Sequence, residues 1–168
     1  MAPTSLAEVQ DFLESTFRQL AREKGVRLGI ERAPGTPQRI ETDARRLQQI
    51  LKNLLSNAFK FTSRGSVSLR IAVEGAARLS FAVTDTGIGI PEDKQEVIFE
   101  AFKQADDTTS RQYGGSGLGL AISREFARLL GGEIRVQSRP GEGSTFTLFI
   151  PLSGKAGRGH PGAELRSA

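Results

Sequence analysis

Three short stretches of this 168-residue chain carry residue types that could hold a phosphorylated ligand. In the first, Gln49-Ile50-Leu51-Lys52-Asn53-Leu54-Leu55-Ser56-Asn57-Ala58-Phe59-Lys60-Phe61, Asn53 and Asn57 stand four apart and share one helix face. That face reads as otherwise polar, opposite the leucines. An amide oxygen is a hard ligand suited to Mg²⁺, and being neutral it does not repel a triphosphate. Lys60 could swing to a phosphate as a point charge. Phe61 could pack on a base or ribose, or equally in a core. In the second stretch, Asp85-Thr86-Gly87-Ile88-Gly89-Ile90, an acceptor-only carboxylate ends an apolar strand. Gly87 and Gly89 let backbone approach a ligand closely, and Ile88 and Ile90 could line its pocket. In the third, Gly114-Gly115-Ser116-Gly117-Leu118-Gly119-Leu120 opens a helix whose first N–H groups, with the helix dipole, make an anion site. Singly, each has a plainer reading. Helix asparagines and lysines are ordinarily solvated, Asp-Thr-Gly forms turns, and a glycine-rich loop need be only a tight connection.

The elements that must position these residues follow from hydrophobic spacing. Leu6, Val9, Phe12, Leu13, Phe17 and Leu20 recur at helical spacing, so the sequence predicts a helix over 5–24, ended by Gly25. Val26, Leu28 and Ile30 alternate as in a half-buried strand. Ala33-Pro34-Gly35-Thr36-Pro37 is a turn or loop, and Asp43 caps the helix carrying the two asparagines. Its buried face is Leu47, Ile50, Leu51, Leu54, Leu55 and Ala58. Gly65 opens a strand pair (Val67 to Val73, Leu79 to Val83) turning at Glu74-Gly75. A short helix over about 92–100 precedes a polar, glycine-rich loop over 103–116 that is long enough to be a lid. Leu118 to Leu130 forms a further helix stopped by Gly131-Gly132, and a last hairpin turns at Pro140-Gly141-Glu142-Gly143. Mixed helices and strands with possible hairpins favour a two-layer α/β sandwich over a doubly wound sheet. The ordered domain is expected over 1–152, with 153–168 a flexible, glycine-rich tail or linker.

Composition excludes several chemistries. With no Cys, there is no disulfide scaffold, thiol nucleophile or Cys-ligated metal. A single histidine, His160, removes multi-histidine metal sites and most catalytic triads. The net charge of +4 comes from scattered residues, and one Tyr with no Trp gives a poor base-stacking platform. The expectation is therefore no nucleic-acid partner. No run reaches the apolar length of a membrane-spanning helix, so no membrane contact by this chain and a cytoplasmic location are expected, whatever anchors a longer parent. The phosphate loop G-x-x-x-x-G-K-[ST] and the protein-kinase motifs are missing, and the Gly114–Leu120 stretch is not the G-x-G-x-x-G dinucleotide fingerprint.

In order, the asparagine helix, the Asp-Thr-Gly-Ile-Gly loop, Ile98-Phe99-Glu100-Ala101-Phe102-Lys103-Gln104 and the Gly114–Leu120 stretch closely resemble the N, G1, F and G2 boxes of sensor histidine kinase catalytic domains. That family, with gyrase, Hsp90 and MutL, has the Bergerat ATP-binding fold: a mixed sheet covered on one face by helices, with a mobile ATP lid. The resemblance covers residues 6–152, and Phe-Lys-Gln-Ala-Asp is most similar to hybrid sensor kinases. It implies ATP and Mg²⁺ as cofactors. Asn57 becomes the metal ligand with Asn53 assisting, and Lys60 a phosphate contact. Asp85 becomes the acceptor for the adenine amino group, beside Phe61, Gly87, Gly89 and Ile90. Gly115, Ser116, Gly117, Leu118, Gly119 and Leu120 become the phosphate cradle. Arg111 and Tyr113 are placed to touch the γ-phosphate, and Thr145 to reach adenine through water. Hydrolytic members carry a glutamate four residues before the metal-binding asparagine. Here that position is Asn53, which cannot act as a base, so poor hydrolysis is expected.

The implied function is donation of the γ-phosphoryl group to a histidine on a separate dimerisation hairpin, with a response-regulator receiver domain as indirect partner. No such hairpin lies in the chain, and His160 in its Gly/Pro tail is a poor acceptor, so autophosphorylation by this chain alone is not expected. Two alternatives stand beside it. The domain could bind nucleotide only as a conformational switch. More remotely, Phe81-Ala82-Val83-Thr84-Asp85-Thr86-Gly87 resembles the active-site strand of a dimeric aspartic protease.

Overall fold

The computed structural model describes residues 2–87, 117–139 and 141–152. The expected short helix over 92–100, the lid and the tail lie outside these residues. The described elements are β1 (Ala2–Ser5), α1 (Leu6–Lys24), β2 (Val26–Arg32), β3 (Arg39–Thr42), α2 (Ala44–Phe61), β4 (Gly65–Glu74), β5 (Arg78–Asp85), α3 (Gly117–Leu129), β6 (Glu133–Arg139) and β7 (Gly143–Pro151).

The local signals act as their chemistry dictates. Ser5 caps α1 by accepting from the Glu8 N–H at 3.2 Å, and Gly25 ends it in the left-handed conformation at φ 69°. Asp43 caps α2 by accepting from the Arg46 N–H at 3.2 Å. Leu6, Val9, Leu13 and Phe17 of α1 and Leu47, Ile50, Leu51, Leu54 and Leu55 of α2 are buried against one face of a five-stranded sheet, order β2-β4-β5-β7-β6. Its β2–β4 pair is parallel and the other pairs antiparallel, so this is the expected mixed sheet with helices on one face. Residues between, on the other face, are mostly polar or small; the exception is Phe149, covered by the Arg78 and Arg135 guanidinium groups, and Arg70–Glu31 and Arg78–Glu133 ion pairs run across strands.

The sequence reading missed β1 and β3, which pair antiparallel as a separate two-stranded sheet at the start of α1. Each is only four residues long, and their partnership spans about half the distance from the N-terminus to Asp85, so neither periodicity nor a turn announces it. The core gives a first prediction. Leu54 is fully buried in the middle of α2, facing the sheet. Leu54→Ala should cost about 2–5 kcal/mol of unfolding free energy, read as a lower urea midpoint at unchanged m-value.

Candidate nucleotide site

The site gathers where α2 ends against the end of β5. Phe61 is the last residue of α2, and its carbonyl oxygen backs onto the loop after Asp85. A Cβ on Gly87 would lie 2.1 Å from that oxygen, so only glycine lets the two backbones meet. The loop is also tied to β4: Thr86 N–H donates to the Ser66 carbonyl at 3.2 Å, and the Ser66 N–H donates to Thr86 Oγ1 at 3.1 Å. From the other side Gly143, at φ +96°, brings β7 so close that a Cβ would meet the Asp85 carbonyl oxygen at 2.1 Å. Gly143→Ala should therefore cost about 1–3 kcal/mol from the backbone conformation alone. The clash adds to that loss and displaces Asp85. Chemical unfolding and nucleotide titration of the same variant should both register it.

Asp85 is 2% exposed. Its Oδ1 accepts from the Gly87 N–H at 2.8 Å, and the Ser144 backbone also hydrogen-bonds the carboxylate. Oδ2 is buried and has no partner. Burial raises the carboxyl above its ordinary range, and the Gly87 and Ser144 bonds offset part of that rise. A buried acceptor left open in this way is costly unless something supplies a donor.

Asn57 repeats the pattern. It is 3% exposed, not on a solvated face as its polarity suggested. It follows Ile50 and Leu54 in the buried stripe of α2. Its Nδ2 donates to the Asn53 carbonyl at 3.0 Å, which turns Oδ1 the other way, and Oδ1 is buried without a partner. Among the described residues the third such atom is Thr62 Oγ1, in the residue that follows α2. The three lie in the last two turns of α2, in the residue after it and at the end of β5. Sequence reasoning did not pick out Thr62.

Asn53 is partly buried one turn earlier. Its Oδ1 accepts from Gln49 Nε2 at 3.1 Å and its Nδ2 donates to Ser123 Oγ on α3 at 2.9 Å. Lys60 is exposed, with burial of part of its stem lowering its ammonium from the ordinary value. Phe61 is half-buried. Gly117, Leu118, Gly119 and Leu120 form the first turn of α3, with Leu120 in the core. Gly89, Ile90, Arg111, Tyr113, Gly115 and Ser116 lie outside the described residues.

Among the described candidates, Thr145 is turned away from this group. In the β5–β7 register Thr145 pairs with Thr84 and Ser144 with Asp85. Alternation along a strand puts Thr145 on the opposite face, where its hydroxyl bonds Thr84 Oγ1 at 3.1 Å. Ser144 instead faces with Asp85, its hydroxyl 2.7 Å from Ser138 Oγ. A one-residue count along β7, started from buried Phe146, carries the signal that separates the two.

A neutral amide oxygen suits Mg²⁺ beside a polyphosphate better than a carboxylate cluster would. Among the described residues no group of three or more His, Cys, Asp or Glu could hold a metal. Asn57 Oδ1 fits a hard cation that keeps most of its own waters and phosphate ligands.

A mixed five-stranded sheet covered on one face by helices is the architecture of histidine kinase ATPase domains. The chain belongs to the histidine kinase-, DNA gyrase B- and HSP90-like ATPase family, whose profile matches residues 42–154. Within it, the chain is homologous to histidine kinase catalytic domains. It is 48% identical over 145 residues to autoinducer 2 sensor kinase/phosphatase LuxQ of Vibrio vulnificus (strain YJ016), covering 83% of this chain and 17% of that protein. It is 44% identical over 139 residues to aerobic respiration control sensor protein ArcB of Escherichia coli (strain K12), covering 82% of this chain and 18% of that one. The chain thus spans only a small part of either relative's length. The crystal structure of full-length ShkA in complex with AMPPNP superimposes with a TM-score of 0.79 at 34% identity, over 90% of this chain and 31% of that one. The aspartic protease alternative falls with these matches, since Asp85 belongs to a helix-covered sheet of this ATPase family.

Proposed function

We propose that this chain binds Mg-ATP and presents its γ-phosphate to a histidine on a separate dimerisation hairpin, as the catalytic part of a two-component sensor kinase. The observation that carries the reading is the buried, unpartnered Asp85 Oδ2. It is an acceptor held rigidly by two backbone bonds and waiting for a donor, which the adenine amino group supplies. Asn57 would hold Mg²⁺ through Oδ1, and the bound cation would neutralise charge on the phosphates. The first turn of α3 adds N–H groups and a positive dipole end.

Phosphoryl transfer asks the protein mainly for position and charge neutralisation. The bond between the γ-phosphorus and its bridging oxygen breaks, a bond to the histidine ring nitrogen forms, and ADP departs. Asn53 stands where a water-activating base would be needed and accepts no proton, so the site favours transfer over hydrolysis. The parent's receiver domain would take the phosphoryl group next, and an ATP-dependent site of this kind belongs in the cytoplasm.

The test is radiolabel transfer from γ-labelled ATP to an added histidine-bearing hairpin. Labelled hairpin with slow steady-state hydrolysis is expected. Nucleotide binding without label on the hairpin would make the domain a conformational switch, and rapid hydrolysis by the chain alone would overturn the role given to Asn53.

A further inference from the structure

α3 buries a stripe formed by Leu120, Ser123 and Ala127, continued by Leu130 just past its end. Ser123 is the polar member of that stripe and is fully buried. A hydroxyl in such a place costs stability unless it is bonded. Its bond is to Asn53 Nδ2 at 2.9 Å, between residues 70 apart in sequence. Asn53 Oδ1 is held from the other side by Gln49 Nε2 at 3.1 Å. The two bonds hold the Asn53 amide between Gln49 on its own helix and Ser123 on α3. The Asn53 main-chain carbonyl in turn anchors Asn57 Nδ2 at 3.0 Å and leaves the buried Asn57 Oδ1 pointing away from it. The Ser123 hydroxyl, the Asn53 side chain and carbonyl, and the Asn57 amide thus form a path from α3 to the amide proposed to hold the cation.

We propose that Ser123 is a positioning residue for the Mg-ATP site: its hydroxyl, 2.9 Å from Asn53 Nδ2, locks α3 to α2 so that the phosphate-facing start of α3 and the Asn53–Asn57 amide pair share one rigid frame. This rests on the nucleotide reading above. Ser123 lies six residues past Gly117, about 9 Å along the helix axis, so it touches no phosphate bound at the helix start. It acts through Asn53. A cation bridging Asn57 to phosphates needs both elements in register, whereas the adenine acceptor on β5 does not. Loss of the hydroxyl should therefore be felt in the metal-dependent part of binding and spare the rest.

The experiment is calorimetric titration of the full chain with ATP in Mg²⁺ and with ADP in EDTA. It is run on wild type, Ser123→Ala, Asn53→Ala and the double variant, with thermal midpoints alongside. Ser123→Ala is a small change, should fold, and should weaken Mg-ATP binding about tenfold, the scale of lost support for a metal ligand. Binding of ADP in EDTA should stay within about twofold, and in the Asn53→Ala background the serine change should add nothing. Ser123→Thr, which restores the hydroxyl, should recover part of the Mg-ATP affinity. Equal losses with and without Mg²⁺, or full additivity in the double variant, would make Ser123 a packing residue and overturn the proposal. Unchanged Mg-ATP binding in Ser123→Ala overturns it while leaving the nucleotide reading standing. No binding of either nucleotide by folded wild type takes both down.

Discussion

Asp85→Asn should reduce ATP affinity on the order of 100-fold or more while leaving the ligand-free protein at least as stable as wild type. The two halves have one cause. The asparagine oxygen can keep the bonds from the Gly87 and Ser144 backbone, because these need only an acceptor. The other end of the side chain changes from the unpartnered Oδ2 to an NH₂ group. A bound adenine amine would then face a donor. A charge-assisted bond worth about 1.5–3 kcal/mol disappears and a buried group costing about 1–3 kcal/mol goes unpaired, which together amount to roughly two to four decades in affinity. Selectivity should move too. Adenine offers a donor at the position where guanine has the O6 acceptor. Wild type should therefore prefer ATP to GTP, and the ratio should collapse in the variant. Calorimetry with both nucleotides decides it. An unchanged ratio would remove Asp85 from the base pocket.

The pH dependence follows from the direction of the shift. Burial raises the folded carboxyl above its unfolded value. As pH rises through the interval between the two, the unfolded chain releases its proton first, and the ligand-free fold loses stability. Below the unfolded value that cost is absent, and above the folded one it is complete. Asp85→Asn removes this interval from the stability profile. Nucleotide binding runs the opposite way in wild type. The adenine amine needs the ionised acceptor, so ATP affinity should fall as pH drops through the raised pKa, and the variant should not show this fall. Titrations from pH 4.5 to 7.5, an interval chosen to span an elevated carboxyl, would show whether the two profiles cross in this sense.

Which parts of this were legible in the sequence depends on the range of the interaction. Ser5, Gly25 and Asp43 act on their own helices, and short-range rules place them. The β4–β5 and β6–β7 hairpins also follow from neighbouring alternation. The parallel β2–β4 pair does not, because it forms only after α2 has crossed over between the strands. β1–β3 is the extreme case, two four-residue strands whose pairing is invisible without the fold. At the site, residue types gave Asp85 and the asparagine pair. They did not give Asn57's burial, since polarity argued for solvent while its place after Ile50 and Leu54 argued for the core. Position overrode type there, and the unpartnered Oδ1 is the result. The same reasoning separates Ser144 from Thr145: both are hydroxyl residues in one glycine-rich turn, and only the pleat tells which one faces Asp85. Nothing in the sequence singles out Ser123, because its bond to Asn53 exists only in three dimensions.

Asn57→Asp distinguishes geometry from charge at the cation site. Counting charge alone, a carboxylate should bind Mg²⁺ more tightly than an amide. The structure predicts the reverse for Mg-ATP. Asn57 is oriented by Nδ2 donating to the Asn53 carbonyl at 3.0 Å. An aspartate has no donor to offer there, so one carboxylate oxygen would face a carbonyl oxygen, inside a site that is 3% exposed and lies beside a triphosphate. The side chain must either leave the buried position or take up a proton; its O–H could then replace the Nδ2 bond, but holding that proton beside a cation is unfavourable at neutral pH and costs affinity. The Mg²⁺-dependent gain in ATP affinity should fall by at least about 100-fold, the upper end of what losing a supporting partner costs. ADP binding in EDTA, which draws on Asp85, should fall much less. Asn57→Ala provides the control for burying a charge: it should lose the same Mg²⁺-dependent gain with a smaller drop in thermal midpoint. If Asn57→Asp instead bound Mg-ATP as tightly as wild type, the amide's orientation would carry no function, and Asn57 would be a buried polar residue kept for the packing of α2 alone.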